Sequence, residues 1–91
     1  MQIHILGQGR LGRSLAYILS QQSIPHTIYG RSFPVNVQGL VYICVPEMAI
    51  RDVARQLTYH EEVCVVHASG SIGLDIFPVA EANIACLHPI Q

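Results

Sequence analysis

Three glycines stand at a fixed spacing between a strand-like segment and a helix-like segment near the start of the chain. Residues 3–6 are mostly branched and apolar, and Gly7, Gly9 and Gly12 follow them directly. Apolar residues then recur at the spacing of one helix face over residues 10–22, at Leu11, Leu15, Ile18 and Leu19. Because the apolar period changes at the glycines, the pattern predicts a buried strand that turns tightly into an amphipathic helix.

The rest of the chain continues this alternation of strand-like and helix-like segments. Strands are predicted at residues 3–6, 27–29, 40–45, 63–67 and 84–88, with a connector at residues 31–39. Helices are predicted over residues 10–22, from Pro46 through the inward stripe Ile50, Val53, Ala54 and Leu57, and over residues 74–82. Such alternation predicts an α/β fold, a doubly wound, Rossmann-like parallel sheet of about five strands in the order 2-1-3-4-5. We expect residues 1–91 to form a single domain, with its ligand at the carboxyl ends of strands 1 and 3.

Composition excludes several classes of protein. Hydrophobic residues make up 51% of the chain and charged residues 12%, which excludes disorder and favours a sheet covered on both faces or an oligomer interface. The chain has no lysine and no basic run, so nucleic-acid binding is not expected. It has neither the roughly 18–20 apolar residues in a row that cross a bilayer nor the basic start of a signal peptide. We therefore expect a cytoplasmic protein that does not bind membranes.

The glycine pattern G-x-G-x-x-G suits a phosphate group when it joins a strand to a helix. Gly7 permits the tight turn, Gly9 lets a pyrophosphate approach the backbone, and Gly12 lets the helix pack closely on the strands. Unpaired N–H groups at the start of the helix then donate hydrogen bonds to phosphate oxygens. The predicted cofactor-binding residues of this loop are Gly7, Gln8, Gly9, Arg10, Leu11 and Gly12. The alternative is a glycine-rich turn that binds no ligand.

The end of the second predicted strand distinguishes between two dinucleotides. A site for NAD usually has an acid there that accepts hydrogen bonds from ribose hydroxyls, but no acid precedes Glu47 in this chain. Arg31 and Ser32 follow the strand instead, and a guanidinium beside a hydroxyl suits a 2′-phosphate. All three charged residues in positions 1–46 are positive. The sequence therefore predicts NADP, with NAD as the less favoured cofactor; the alternative for Arg31 is a solvated arginine in a turn.

Five short motifs follow one another along the chain, each at or near the end of a predicted strand. They are Gly-Gln-Gly-Arg-Leu-Gly at residues 7–12, Tyr-Gly-Arg-Ser at 29–32, Val-Pro-Glu-Met-Ala-Ile at 45–50, Val-His-Ala-Ser-Gly-Ser at 66–71 and Leu-His-Pro-Ile-Gln at 87–91. Together they resemble the N-terminal Rossmann domain of a bacterial group of NADP-dependent oxidoreductases in the 6-phosphogluconate dehydrogenase-like superfamily. Ketopantoate reductase, pyrroline-5-carboxylate reductase and prephenate dehydrogenase are similar in outline. The resemblance covers essentially the whole chain.

The resemblance implies further site residues and a partner. Val45 and Pro46 would line the nicotinamide side of the crevice, and Ser69 and Gly70 would border it. Members of such families continue into a helical C-terminal domain, which the 91 residues do not include. We therefore expect either a homo-oligomer or a partner chain that supplies the domain.

Two histidines follow predicted strands at the ligand-binding edge, and each is a candidate for catalysis. His67 and His88 are each placed where a side chain donates a proton or orients a substrate carbonyl. The commoner alternative for a histidine at a strand end is a hydrogen bond to loop backbone. No metal site is predicted, because no group of histidines or cysteines has the spacing of metal ligands. The three cysteines, Cys44, Cys64 and Cys86, are predicted to be buried thiols.

Three functions are compatible with these features. The first is an NADP-binding domain of an oxidoreductase that transfers hydride between the nicotinamide and a small carbonyl or imine substrate. The second is a nucleotide-binding or regulatory module without catalytic activity. The third is a self-associating interaction protein that binds no cofactor.

Overall fold

Five strands and two helices make up the part of the chain that the structure, a computed structural model, describes. This part comprises residues 2–69 and the backbone of a final strand. The elements are β1 (Ile3–Leu6), α1 (Arg10–Gln21), β2 (Thr27–Tyr29), β3 (Gly39–Ile43), α2 (Glu47–Gln56), β4 (Val63–His67) and β5 (Ile84–Cys86). The predicted helix over residues 74–82 and the predicted end of the last strand at residues 87–88 lie outside the described residues. No helix within the described part is both long enough and apolar enough to cross a membrane.

The strands form one parallel sheet in the order β2-β1-β3-β4-β5. This confirms the predicted α/β class and strand order. The third strand was predicted at residues 40–45, whereas β3 begins one residue earlier and ends at Ile43. It ends there because Ile43 pairs with Leu6 and His67, the last residues of the two neighbouring strands. The second helix begins at Glu47, so Pro46 is the residue before the helix and not part of it.

One face of the sheet, which we call the closed face, packs against α2. The predicted inward stripe of this helix is buried, and it meets alternate residues of β1, β3 and β4. The buried cluster consists of Leu6, Val41, Ile43, Ile50, Val53, Ala54, Leu57, Val63 and Val65. Burial of so many aliphatic side chains, each contributing roughly 1.5–3 kcal/mol, makes this cluster the main source of stability among the described residues.

The opposite side of the sheet, which we call the open face, packs against α1. A right-handed crossover from β1 to β2 runs in the opposite direction to that from β3 to β4, so the two helices lie on opposite faces. The apolar face predicted for α1, with Leu11, Leu15, Ile18 and Leu19, is only partly covered in the structure. Leu11 is 45% exposed and Ile18 56% exposed, and the only buried residue of the helix is Gly12. The reason is that α1 contacts β1 and β2 at one side of the sheet, and no second described helix packs beside it.

Candidate functional site

The glycine loop lies where the carboxyl ends of β1, β2 and β3 meet. The Gly7 backbone N–H donates to the Tyr29 carbonyl oxygen over 2.9 Å, and the Cys44 N–H donates to the Leu6 carbonyl oxygen over 2.7 Å. Gly7 has a φ of 122°, in the region that only glycine adopts without strain. A Cβ at this position would also collide with the Cys44 carbonyl oxygen. The turn between β1 and α1 therefore requires glycine, as the sequence predicts.

The surroundings of Gly12 exclude a side chain, whereas those of Gly9 do not. A Cβ on Gly12 would collide with the Gly7 carbonyl oxygen, so this glycine lets α1 lie directly against the loop. A Cβ on Gly9 would have no atom within 4 Å, and its φ of −77° is open to any residue. Nothing within the fold requires glycine at position 9. A side chain at position 9 would extend into the open space in front of the N-terminus of α1.

The start of α1 is arranged to receive a negative group. Gly9 is the residue before the helix, and no side chain caps the helix with a hydrogen bond among the described residues. The first turn contains no acid, and Arg10 is exposed beside it. N–H groups at the start of a helix carry a partial positive charge and attract phosphate oxygens. The arrangement suits a pyrophosphate approaching over Gly9.

A cavity of about 460 Å³ extends from the glycine loop along α2. Its volume is within the range of about 300–1,000 Å³ that ligand pockets occupy. Four of the predicted site residues line it, namely Gly7, Gln8, Arg31 and Val45. Gly30 lies between two of them, and a Cβ on it would be 3.4 Å from the Gln8 side-chain amide carbon. The Gln8 side chain thus lies across Gly30 and joins the glycine loop to the segment that carries Arg31.

Arg31 is exposed at one end of this cavity. It forms no ion pair or hydrogen bond with any described residue, so its guanidinium is available to an external anion. Ser32 is exposed next to it but does not line the cavity. This geometry allows Arg31 to contact a phosphate on a ligand that lies between the loop and α2.

The other predicted site residues do not line this cavity, including Gly9, Arg10, Leu11 and Gly12, which follow the lining residue Gln8 along the chain. Pro46 is exposed at the start of α2, outside the lining. Ser69 is half-buried after β4, and its backbone N–H donates to the Nδ1 atom of His67 over 3.1 Å. His67 is 0% exposed, so its ring is closed off from solvent and holds the loop backbone, which is the commoner alternative given above. Gly70 and His88 lie outside the described residues.

The cavity also has lining residues that the sequence did not indicate. They are Phe33 from the connector and Ala49, Asp52, Val53 and Gln56 from α2. Positions 49, 52, 53 and 56 share one helix face by their spacing, which was available in the sequence. The apolar stripe of α2 indicates only the side that meets the sheet and does not indicate which polar residues line a cavity. Asp52 therefore brings an acid into a site whose other charged lining residue is Arg31.

A second, larger cavity of about 660 Å³ lies at the opposite edge of the sheet. It is lined by Gln2, Asn36, Val37, Gln38, Thr58, His60 and Glu62. Its polar side chains bind one another and the connector: Gln38 Nε2 donates to Glu62 Oε2 over 2.6 Å, and His60 Nε2 bonds the Val37 carbonyl oxygen over 2.8 Å. Ligands of parallel sheets bind at the carboxyl ends of strands, so the smaller cavity is the better candidate.

Two groups near these elements, one buried and one half-buried, ionise less readily than usual. Burial raises the pKa of the Cys44 thiol, which lies behind the glycine loop, from 9.0 to about 11. Burial likewise raises the pKa of Tyr59 from 10.0 to about 12, and its hydroxyl donates to the Ala54 carbonyl oxygen over 2.6 Å. A thiol that stays protonated at neutral pH is a poor nucleophile. Cys44 is therefore a packing residue beneath the loop.

No protein-family model matches the chain, and no curated protein matches it.

Proposed function

We propose that this chain binds NADP(H) at the carboxyl edge of its sheet, as the cofactor-binding domain of an oxidoreductase. The observation that carries the proposal is the glycine at position 9. The fold itself does not require glycine there, but a ligand that lies directly against the start of α1 does. Arg31 supports the choice of NADP, because it lines the cavity that extends from Gly7 and Gln8 of the glycine loop, and it has no partner among the described residues. The family resemblance and the cytoplasmic location expected from the sequence are part of the same proposal.

The residues of the chain bind and orient the dinucleotide. Backbone N–H groups of the first turn of α1 donate to the pyrophosphate, and Arg31 pairs with the 2′-phosphate of the adenosine. Gln8 and Val45 extend the lining from the loop towards the end of β3. When bound, the nicotinamide supplies a hydride for a small carbonyl or imine substrate. Such chemistry needs a water-free site, so a second copy or a partner chain covering the nicotinamide belongs to the proposal.

The proposal is tested by titrating the protein with NADPH and NADH and following nicotinamide fluorescence. NADPH should bind more tightly, and Arg31→Ala should weaken NADPH binding by about ten- to hundredfold, since it removes charge-assisted hydrogen bonds of roughly 1.5–3 kcal/mol. Arg55→Ala is the matched control, because Arg55 is also exposed but does not line the cavity. Equal affinity for the two dinucleotides would contradict the choice of NADP.

Gly9→Ala separates binding from folding. The added methyl group meets no protein atom within 4 Å, so the unfolding free energy should change by less than about 1 kcal/mol. Binding of both dinucleotides should be lost, because the methyl group stands where the pyrophosphate approaches. Unchanged binding would show that the loop is only a turn.

Two further results would select the other functions. NADPH binding without oxidation across a panel of oxo acids and imines would favour the regulatory module. If neither dinucleotide binds at millimolar concentration, the interaction protein is favoured.

Self-association is proposed on the basis of the apolar residues exposed on α1. Leu11 and Ile18 are about two helical turns apart on the same side of α1, and both are exposed. Sedimentation at rising protein concentration should reveal a dimer or a larger assembly. A monodisperse monomer at high concentration would contradict this part of the proposal.

A further inference from the structure

The cavity continues beyond the residues that the dinucleotide's phosphates need. Gly7, Gln8 and Arg31 account for one end of it, next to the glycine loop. The other end lies along α2 and is lined by residues with no role in holding a phosphate. This end differs chemically from the first, because its lining combines apolar side chains with the carboxylate of Asp52.

The walls of this far end suit a flat aromatic ring. Phe33 is half-buried and packs against the core cluster, which restricts the position of its ring. Val53 is buried and Ala49 half-buried on the facing helix, and neither carries a polar atom in its side chain. Aromatic rings pack favourably against apolar and aromatic side chains of this kind.

The polar edge of the same region consists mainly of hydrogen-bond acceptors. The Asp52 carboxylate accepts hydrogen bonds only, and it makes no hydrogen bond or ion pair with a described residue. Gln56 stands one turn further along α2, and its Nε2 donates to the Asp52 backbone oxygen over 3.2 Å. That bond uses an amide proton of Gln56 and leaves its Oε1 as a second acceptor. A ligand that meets this edge should therefore present a donor.

The charges along the cavity give a bound dinucleotide a direction. Arg31 lines one side and attracts a phosphate, whereas Asp52 repels a phosphate and attracts an N–H group. The phosphates of the adenosine half therefore lie towards the loop and Arg31. The base then lies along α2.

We propose that Asp52 selects the nucleobase by accepting a hydrogen bond from the exocyclic amine of an adenine ring that packs between Phe33 and the Ala49–Val53 face of α2. This inference rests on the proposed function and assigns a specificity role to a residue of α2. Hypoxanthine carries a carbonyl oxygen in place of the amine. That oxygen faces the Asp52 carboxylate without a proton between them.

The test compares NADPH with reduced nicotinamide hypoxanthine dinucleotide phosphate, which differs from it at the base alone and carries the same fluorescent nicotinamide. The protein should bind NADPH about tenfold more tightly, the value of one hydrogen bond to a charged group. Asp52→Ala should bind the two with equal affinity. Asp52 is exposed on a helix surface, so this variant should fold normally, and circular dichroism verifies that.

Arg31→Ala is the matched variant for the other half of the site. It should lose the preference for NADPH over NADH and keep the preference for adenine over hypoxanthine. NADPH binding with no preference between the two bases would overturn the role of Asp52 and leave the proposed function intact. An adenine preference that persists in Asp52→Ala would overturn it equally. Failure of the unaltered protein to bind NADPH would overturn the proposed function and this inference together.

Discussion

The two helices lie on opposite faces of one sheet and have almost equal amphipathic character, yet they are buried to very different extents. On the closed face, α2 contributes Ile50, Val53 and Ala54 to the core. On the open face, α1 buries only Gly12. An amphipathic pattern shows which side of a helix is apolar, whereas the neighbouring elements decide how much of that side is covered. The fold of the described residues therefore depends mainly on the closed face.

The largest expected effect comes from making the same substitution in both helices. Ile50 is 3% exposed in α2, and Ile50→Ala should lower the unfolding free energy by about 3 kcal/mol, because it removes buried methyl groups and leaves a cavity. Ile18→Ala in α1 should change it by less than about 0.5 kcal/mol at protein concentrations low enough to keep the chain monomeric, since Ile18 is largely exposed there. Urea unfolding followed by circular dichroism measures both values.

Comparable losses in the two variants would remove the contrast between the faces. They would indicate that the apolar side of α1 is covered in solution, as it would be in a dimer. Repeating the Ile18→Ala measurement at several protein concentrations separates these cases, because only association makes the loss depend on concentration.

Gly12→Ala tests whether α1 is held by a single close approach. Helix propensity alone would make this substitution stabilising by about 1 kcal/mol, because alanine is the better helix former. The new methyl group would collide with the Gly7 carbonyl oxygen, so we expect a loss of about 2 kcal/mol instead. Thermal unfolding of Gly12→Ala and Gly9→Ala, measured side by side, compares the loss of stability in the two variants. A gain in stability would mean that α1 does not rest on the loop.

The strand order and the roles of the loop glycines in shaping the turn were predictable from the sequence. Alternating segments and right-handed crossovers leave few arrangements of a parallel sheet, and the observed order is the predicted one. Gly7 and Gly12 were predicted from spacing, and each meets backbone atoms that exclude a side chain. These features depend on local geometry, which a sequence specifies closely.

Features that depend on which elements meet were not predictable in the same way. The end of β3 at Ile43 is set by the lengths of its two neighbours and not by its own residues, since Cys44 and Val45 are as apolar as a strand requires. Asp52 and the connector residue Phe33 line the same cavity, which depends on how the connector and α2 meet. The place of Asp52 in the cavity does not follow from the residues at the end of the second strand, because this acid comes from a helix.

Alkaline pH tests the two faces through one ionisable group on each. Cys44 lies behind the loop on which α1 rests, and Tyr59 packs against the closed-face cluster. The Cys44 thiol has its pKa raised from 9.0 to about 11, so between these values the unfolded chain has lost a proton that the folded chain keeps. Stability therefore falls as the pH rises from about 9 to 11, by up to about 2 kcal/mol. The raised pKa of Tyr59 adds a second loss between pH 10 and about 12.

Cys44→Ala and Tyr59→Phe separate the two losses in urea unfolding measured from pH 8 to 11. Cys44→Ala should remove the loss that begins near pH 9, and Tyr59→Phe should keep it while flattening the curve above pH 10. Tyr59→Phe also lacks the hydrogen bond to the Ala54 carbonyl, which lowers its stability by a similar amount at every pH below 10. A Cys44→Ala curve parallel to that of the unaltered protein would mean that the thiol is already solvated, and that the glycine loop is open from the side on which α1 rests.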